Sequence, residues 1–598
     1  MSTRRLLCVP LDPVHDVGIK IIRDALARRG HHTELLSPDL PMEEVISRAM
    51  AAPYDFILVS RTLGYGVAEL LGRFVDMLDA AGIRTTARVV IGGKAVTPEL
   101  AAELGFDRGF DEHATVEEIA AYIEDRPPAD AAGSARREKR DLTAGYSYAW
   151  RNAGASACLE TIVEKLLRWS EGKTSPGIQR ARLREEMLHH AQGSKDVGVR
   201  YASLSDPVIR DAALKGSYPA GVRTISEGER QALHRLLADR RPVHPAHIRH
   251  GGTKPAVFKF LGSGCPLMDI LHGRIGERWG IDGYLIINPS WEARYEGLLE
   301  GALTHQNDGT ITSLENIRFM RRYLDPATLL TVRAHRGLNT PETVLLAGEG
   351  GADMTKINLV YGSLGAGTDP DRLAVDGIDA MRLTARYGMP FDIPGNDELS
   401  GVPAWKTLAG LLINVALGVR LGARPILKPL FCYGPHIVIN GLMKQNFIDY
   451  NTAKVRALRA IADAPIWPGE PIAFMTQSED RVQSANATSC HAALARTLEV
   501  DAITIASTDE AYSRGPICIA SRIDSIRAVA EAYRFVGDAG FAPTARADQA
   551  TEEMIAGITS TLHAVSEAPS LPEAIRAGLL GNTEDGAYPG TFGKGTVR

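Results

Sequence analysis

Two groups of residues have the types and spacing for chemistry. The first is the stretch Asp12-Pro-Val-His15-Asp16-Val-Gly18. A neutral imidazole is a good metal ligand, and a carboxylate commonly holds its second ring nitrogen and sets the tautomer. A glycine on the same turn lets a bulky ligand approach the backbone. Ser60-Arg-Thr62 and Gly92-Gly93 have the small and polar character that would line such a site. The second group lies in the C-terminal half. Arg294, Arg333 and Arg336 offer guanidinium groups that match a carboxylate in bidentate fashion. An imidazole such as that of His335 suits acid/base work, although a structural hydrogen bond is the commoner role for such a residue. Asp397-Glu398 reads either as an acid/base pair or as a helix N-cap.

The elements that must hold the first group alternate strand and helix. Residues 6–10, 56–60 and 89–91 are short apolar runs. Residues 18–29, 67–80 and 97–104 have helical periodicity. This predicts a doubly wound parallel sheet over residues 1–126, in which ligands bind beyond the C-terminal ends of the strands. His15, Ser60, Thr62, Gly92 and Gly93 all fall at that edge. Residues 127–145 are rich in Pro, Ala and charge and read as a linker, and 146–250 as a helical region.

From residue 251 to 540, strand-like runs recur between helical stretches. They are residues 256–261, 284–289, 329–334, 356–361, 390–393, 425–429, 472–477 and 502–506. This pattern predicts a (β/α)8 barrel, followed by a helical segment and Gly-rich tail over 541–598. Barrels place chemistry at the C-terminal strand ends. There stand Asn288, Glu292, Arg294 and Glu296; Arg333, His335 and Arg336; Tyr361; Asn396, Asp397 and Glu398; Lys428 and His436; and Ser507, Thr508, Asp509 and Glu510. Cys265, after Gly262-Ser-Gly264, reads mainly as a packing residue.

The totals narrow the class. Lys and Arg number 67 against 72 Asp and Glu, a net charge of −5, which argues against a general nucleic-acid surface. Six scattered cysteines form no CxxC pair, which argues against zinc and iron–sulfur sites and fits a reduced, cytoplasmic compartment. No apolar run reaches the ~18 residues of a membrane span.

The segment around His15 and Gly18 resembles the DxHxxG motif of cobalamin-binding domains in which a protein histidine replaces the cofactor's own base. In that family the Ser/Thr and Gly-Gly segments line the slot for the displaced nucleotide tail. The motif carboxylate stands two residues before the histidine, where this chain has Pro13, so Asp12 or Asp16 is left to orient His15. Residues 54–110 further resemble the small subunit of lysine 5,6-aminomutase. Residues 309–325, 358–362, 474–476 and 571–597 resemble its large subunit, and 390–450 the barrel subunit of glutamate mutase. The resemblance implies an adenosylcobalamin-dependent mutase, with a homodimer and a reactivating chaperone as its protein partners and no nucleic-acid or membrane partner.

Lysine 5,6-aminomutase also uses pyridoxal phosphate, bound as a Schiff base to a lysine on the helix after the cobalt ligand. The matching position here is Leu26. Lys20 is six residues earlier, about 9 Å along a helix and turned to another side. The family's phosphate-binding arginine matches Asn288 and a nearby serine Ala293, whereas the tyrosine beside the pyridine ring is kept as Tyr361. The resulting expectation is an isomerase acting on a small amino or carboxylic acid without pyridoxal phosphate. His15 is the cobalt ligand; Asp16, Gly18, Ser60, Thr62, Gly92 and Gly93 contact the cofactor. Arg294, His335 and Tyr361 are the catalytic candidates, and Arg294, Arg333 and Arg336 bind substrate. Two rivals remain: an aminomutase of the lysine 5,6- or ornithine 4,5- type that anchors pyridoxal phosphate elsewhere, and a cobalamin sensor or methyl carrier.

Overall fold

The computed structural model describes residues 3–64, 66–112, 114–126, 138–189, 197, 199–200, 203–204, 226–228, 231–232, 235, 255–261, 266–286, 314–333, 340–365, 367–432, 447–469, 481–505, 519–591 and 593–598. They divide into two compact units, Met1–Arg136 and Arg137–Arg598.

The first unit is a five-stranded parallel sheet in the order β2-β1-β3-β4-β5. Its elements are β1 (Arg5–Pro10), α1 (Val17–Arg28), β2 (His32–Leu35), α2 (Met42–Met50), β3 (Phe56–Ser60), α3 (Val67–Ala80), β4 (Arg88–Gly92), α4 (Pro98–Glu103), β5 (Arg108–Phe110) and α5 (Val116–Ile123). Strand β1 is apolar on both faces because helices cover both. Leu7 and Val9 pack with Ile57, Val59, Leu71 and Phe74 on one side. Leu6 and Cys8 pack with Ile19, Leu26, Phe56, Leu58 and Ile119 on the other. Register places Pro10 beside Ser60 and Ser60 beside Gly92. The strand order reverses between β1 and β3, so the loops after them flank the crevice where this architecture binds ligands.

The second unit begins with helices α6 (Ala153–Ser170) and α7 (Pro176–His189) and continues as strands separated by helices. The strands are β6 (Ala256–Leu261), β7 (Gly283–Ile286), β8 (Leu329–Arg333), β9 (Met354–Lys356), β10 (Phe391–Pro394), β11 (Pro425–Lys428) and β12 (Ala502–Ile505). All pair in parallel, in the order β11-β10-β9-β8-β7-β6-β12. The curled sheet is bridged across its edges by residues 465–469. Trp467 and Gly469 donate backbone N–H groups to Leu427 on β11 and to Pro429 just after it (both 2.8 Å), and Asp501 and Thr504 at β12 donate to Ile466 and Pro468 (3.0 and 3.2 Å). This segment takes the position expected of residues 472–477, which lie outside the described residues. Its two prolines, Pro465 and Pro468, lack the N–H groups a regular ladder uses, which accounts for its irregular pairing.

Strand alternation then sorts the side chains. Ala256, Phe258, Leu285, Leu329, Met354, Ile426, Trp467 and Ala502 meet in one apolar cluster inside the ring. Their neighbours along the chain, such as Val257, Leu330, Leu427 and Ile503, pack outward against the helices. Outside the ring, three further helices are α8 (Ala404–Arg420), α9 (Phe447–Ile461) and α10 (Ala545–Glu567), and α10 packs on α6, α8 and α9.

Candidate functional site

The N-terminal edge site is built by one buried carboxylate. Asp12 follows β1, is 1% exposed, and accepts hydrogen bonds from the backbone N–H groups of Thr62 (2.6 Å) and Leu63 (3.2 Å). Arg61 closes the latch: its guanidinium lies 3.5 Å from Asp12 and donates to the Leu11 carbonyl at 2.6 Å. The loops after β1 and β3 are thereby tied together. Asp16 is committed elsewhere, to Lys20 at 2.6 Å on α1. Neither carboxylate orients His15, and among the described residues no other does so.

His15 stands exposed on the loop after β1, and Val14, Val17 and Ile21 on the same stretch of chain are 71, 69 and 55% exposed. Exposed aliphatic side chains close in sequence to an exposed imidazole are the composition expected of a binding surface. A side chain at Gly18 would meet nothing within 4 Å, so the glycine is not required by the protein's own packing and leaves a clear approach beside His15. A metal group that takes a single nitrogen from the protein would fit this donor set of one exposed imidazole. Gly93 has a different reason. Its φ is +130°, and a Cβ there would stand 2.2 Å from the Arg61 carbonyl oxygen, so the strand ends themselves demand glycine. Gly92, Ser60 and Thr62 lie along the same edge, with Thr62 exposed.

The second group is centred inside the barrel. Above the apolar cluster, the same inward face carries Thr331 and Arg333 of β8, Lys356 of β9, Asp392 of β10, Lys428 of β11 and Thr504 of β12. Register sets Arg333 beside Lys356 and Lys356 beside Asp392. Lys428 Nζ is 3.3 Å from Asp392 Oδ2 and 3.7 Å from the centre of the Trp467 ring. Every one of these side chains is buried. Among the described residues the layer holds the cations Arg333, Lys356 and Lys428 and the carboxylate of Asp392. Arg333 and Lys428 were expected at strand ends. Lys356, Asp392, Thr331, Thr504 and Trp467 were not, although a polar residue every second position in an apolar strand is their signature.

Several expectations are corrected. Strand β9 ends at Lys356 rather than Tyr361, because Asn358 turns the chain: its Oδ1 accepts from the backbone N–H of Val360 (2.8 Å) and Tyr361 (3.0 Å). Tyr361 therefore opens a short helix, Tyr361–Leu364, and is half-buried. Asp397 and Glu398 cap no helix. They lie buried in a 3-10 turn, Asn396–Ser400. Glu398 accepts from Tyr450 (2.7 Å) and Cys432 (3.0 Å) and pairs with Lys454 (2.7 Å). Burial, reinforced by the Glu398 charge, pushes the Asp397 carboxyl up to about 7. Arg294, His335, Arg336, Cys265, Asn288, Ala293, Glu292, Glu296, His436 and residues 507–510 lie outside the described residues.

Comparison with known proteins bears on the first unit. Residues 6–121 match the B12 binding domain family, and this unit is a cobalamin-binding domain. It is similar to aminomutase subunits and to corrinoid proteins. The beta subunit of lysine 5,6-aminomutase from Fusobacterium nucleatum is 31% identical over 120 residues, which is 18% of this chain and 46% of that one. Dimethylamine corrinoid protein 3 of Methanosarcina acetivorans is 27% identical over 96 residues, 16% of this chain and 44% of that one. Among solved structures, a cobalamin-binding protein from Desulfitobacterium hafniense DCB-2 shares 20% identity over 21% of this chain and 59% of its own, with a TM-score of 0.19. The chain thus spans under half the length of the curated relatives it matches. Among the described residues, no helix is long and apolar enough to cross a membrane.

Proposed function

We propose that this protein is an adenosylcobalamin-dependent isomerase that performs a radical 1,2-rearrangement on a small amino or carboxylic acid without pyridoxal phosphate. The observation that carries the reading is the cationic layer inside the barrel, formed by Arg333, Lys356 and Lys428 around Asp392, on the same chain as a cobalamin-binding domain. Bound there, adenosylcobalamin would supply the adenosyl radical through cleavage of its cobalt–carbon bond. His15 would hold cobalt from below; Asp16, Gly18, Ser60, Thr62, Gly92 and Gly93 would border the corrin and its tail. Arg333, with Arg294 and Arg336, would clamp the substrate carboxylate, and Tyr361 and His335 would shape or protonate the reacting end. The ring of strands would exclude water from the intermediates.

Two observations favour other readings. The aminomutase relative favours a pyridoxal phosphate enzyme, but Leu26 is fully buried in the core of the first unit, so that position offers neither an amine nor access to one. The corrinoid relative favours a methyl carrier, for which a charged barrel interior has no use. The test is electron paramagnetic resonance of the full chain with adenosylcobalamin and a panel of small amino and carboxylic acids. A coupled cobalt(II)–organic radical signal is expected with the true substrate. Methyl transfer to an acceptor, with no radical signal from any acid, would replace this reading by the carrier.

A further inference from the structure

The pair Lys428 and Asp392 is poorly explained as a structural ion pair. Lys428 is 3% exposed and Asp392 fully buried, yet among the described residues neither the Lys428 amine nor either Asp392 oxygen has a hydrogen-bond partner. Burying two charges is repaid only when hydrogen bonds satisfy the remaining protons and lone pairs. Thr331 Oγ1 and Thr504 Oγ1, on the same inward face, are also buried without partners among the described residues. The Lys428 amine rests on the Trp467 ring, whose π face holds a cation in place beside Asp392. These are the parts of a site for a polar, anionic ligand, with a primary amine at its centre and a carboxylate in reach of that amine.

We propose that Lys428 captures an anionic carbonyl compound as an imine, with Asp392 carrying the protons. This rests on reading the barrel as the catalytic unit; it does not require cobalamin. Asp392 takes a proton from the Lys428 ammonium, and the freed amine adds to the carbonyl carbon. Asp392 returns that proton to the carbinol oxygen. With the second amine proton delivered the same way, the oxygen leaves as water and the C–N double bond forms. The balance is ammonium plus carbonyl giving protonated imine plus water, so no oxidant or reductant is consumed. Lys356 and Arg333 would hold the ligand's anionic group, and the Thr331 and Thr504 hydroxyls its remaining oxygens. The ligand class is thus an aldehyde or ketone bearing a carboxylate or phosphate, and two sources share that chemistry: a 2-oxo acid, or an aldehyde cofactor such as pyridoxal phosphate.

The test is reductive trapping on the full chain without cobalamin. Separate samples are incubated with 2-oxoglutarate, pyruvate or pyridoxal phosphate, reduced with cyanoborohydride, digested and mapped. The expected result is a label on Lys428 from at least one probe, formed ahead of any label on exposed Lys20 and lost in Lys428→Arg, which keeps the charge beside Asp392. Asp392→Asn is expected to slow trapping at Lys428. A label from oxo acids assigns a substrate carbonyl; a label from pyridoxal phosphate alone assigns an aldehyde cofactor and replaces the isomerase without pyridoxal phosphate by the aminomutase reading. Labels spread over surface lysines with Lys428 unmodified in the wild-type chain would overturn the proposal. Because the readout uses neither cobalt nor turnover, that failure would leave the isomerase reading untouched.

Discussion

At the scale of single residues, Asp12 takes a structural part in place of the orienting part that the motif carboxylate has in the resembled domains. The carboxylate that could have oriented the imidazole instead fastens the loop at Thr62 and Leu63. Asp12→Ala is therefore expected to cost about 2 kcal/mol of domain stability, the range for charge-assisted hydrogen bonds, while cobalt ligation by His15 persists. His15→Ala should do the reverse, leaving the fold intact and removing the protein-derived nitrogen coupling from the cobalt(II) spectrum. Thermal unfolding and that spectrum, taken on both variants, check the division; nitrogen coupling that survives in His15→Ala would reassign the ligand. Asp397 makes a second residue-level case. Its folded carboxyl is raised to about 7 from an ordinary 3.8, so the folded chain binds a proton that the unfolded chain releases. Stability linked to this group is greatest at acid pH and declines as pH rises from about 4 to about 7, opposite to an ion-paired carboxylate. Asp397→Asn should stabilise the barrel unit at pH 8, by on the order of 1–3 kcal/mol, with the gain shrinking towards pH 4. A gain that is the same at both pH values would place the effect outside ionisation. His15 and Gly18 stand out in the sequence because their spacing is local. The fate of Asp12 and Asp397 was illegible because it depends on loops that fold back from elsewhere.

At the scale of elements, legibility followed burial. Strands β1, β3, β6, β8 and β12 were readable as apolar runs because both faces are covered. Strand β2, His32–Leu35, alternates exposed and partly buried residues at the sheet edge, and β5, Arg108–Phe110, is three residues long, so neither offered a run to detect. Residues 465–469 carry a strand's pairing with two prolines in place of ladder donors, so they show no apolar run to detect. The inward polar layer was overlooked for a related reason: Asp392 and Lys356 each occupy one position in a short apolar strand, and only register reveals that they are neighbours. Helix α1 gives the element-scale prediction. Leu26 faces the core with Ile19, while Lys20 faces solvent. Restoring a lysine at the aminomutase position by Leu26→Lys should therefore destabilise the first unit by several kcal/mol, since an unpaired ammonium would be buried. It should not create a pyridoxal phosphate absorbance band. A folded variant with a new band near 420 nm would mean that the helix can turn that face outward.

At the scale of the whole molecule, two units with separate cores share one chain. Units of this kind unfold as separate cooperative blocks. Heating is expected to give two transitions, of which cobalamin raises only that of the first unit, as a ligand stabilises the state it binds. Residues 1–136 expressed alone should reproduce the cobalamin-sensitive transition; a single transition in the full chain, shifted as a whole by cobalamin, would show that the units fold as one. The covalent joining has a further consequence, one of kinetics. Subunits that meet from solution lose their partner on dilution, whereas covalently tethered units see each other at an effective concentration that dilution does not change. On the proposed reading, in which one chain supplies both cofactor site and active site, turnover per molecule should hold constant as the protein is diluted from micromolar to nanomolar with cofactor kept saturating. Each molecule would then carry its own radical source, and the cell would have no subunit ratio to balance.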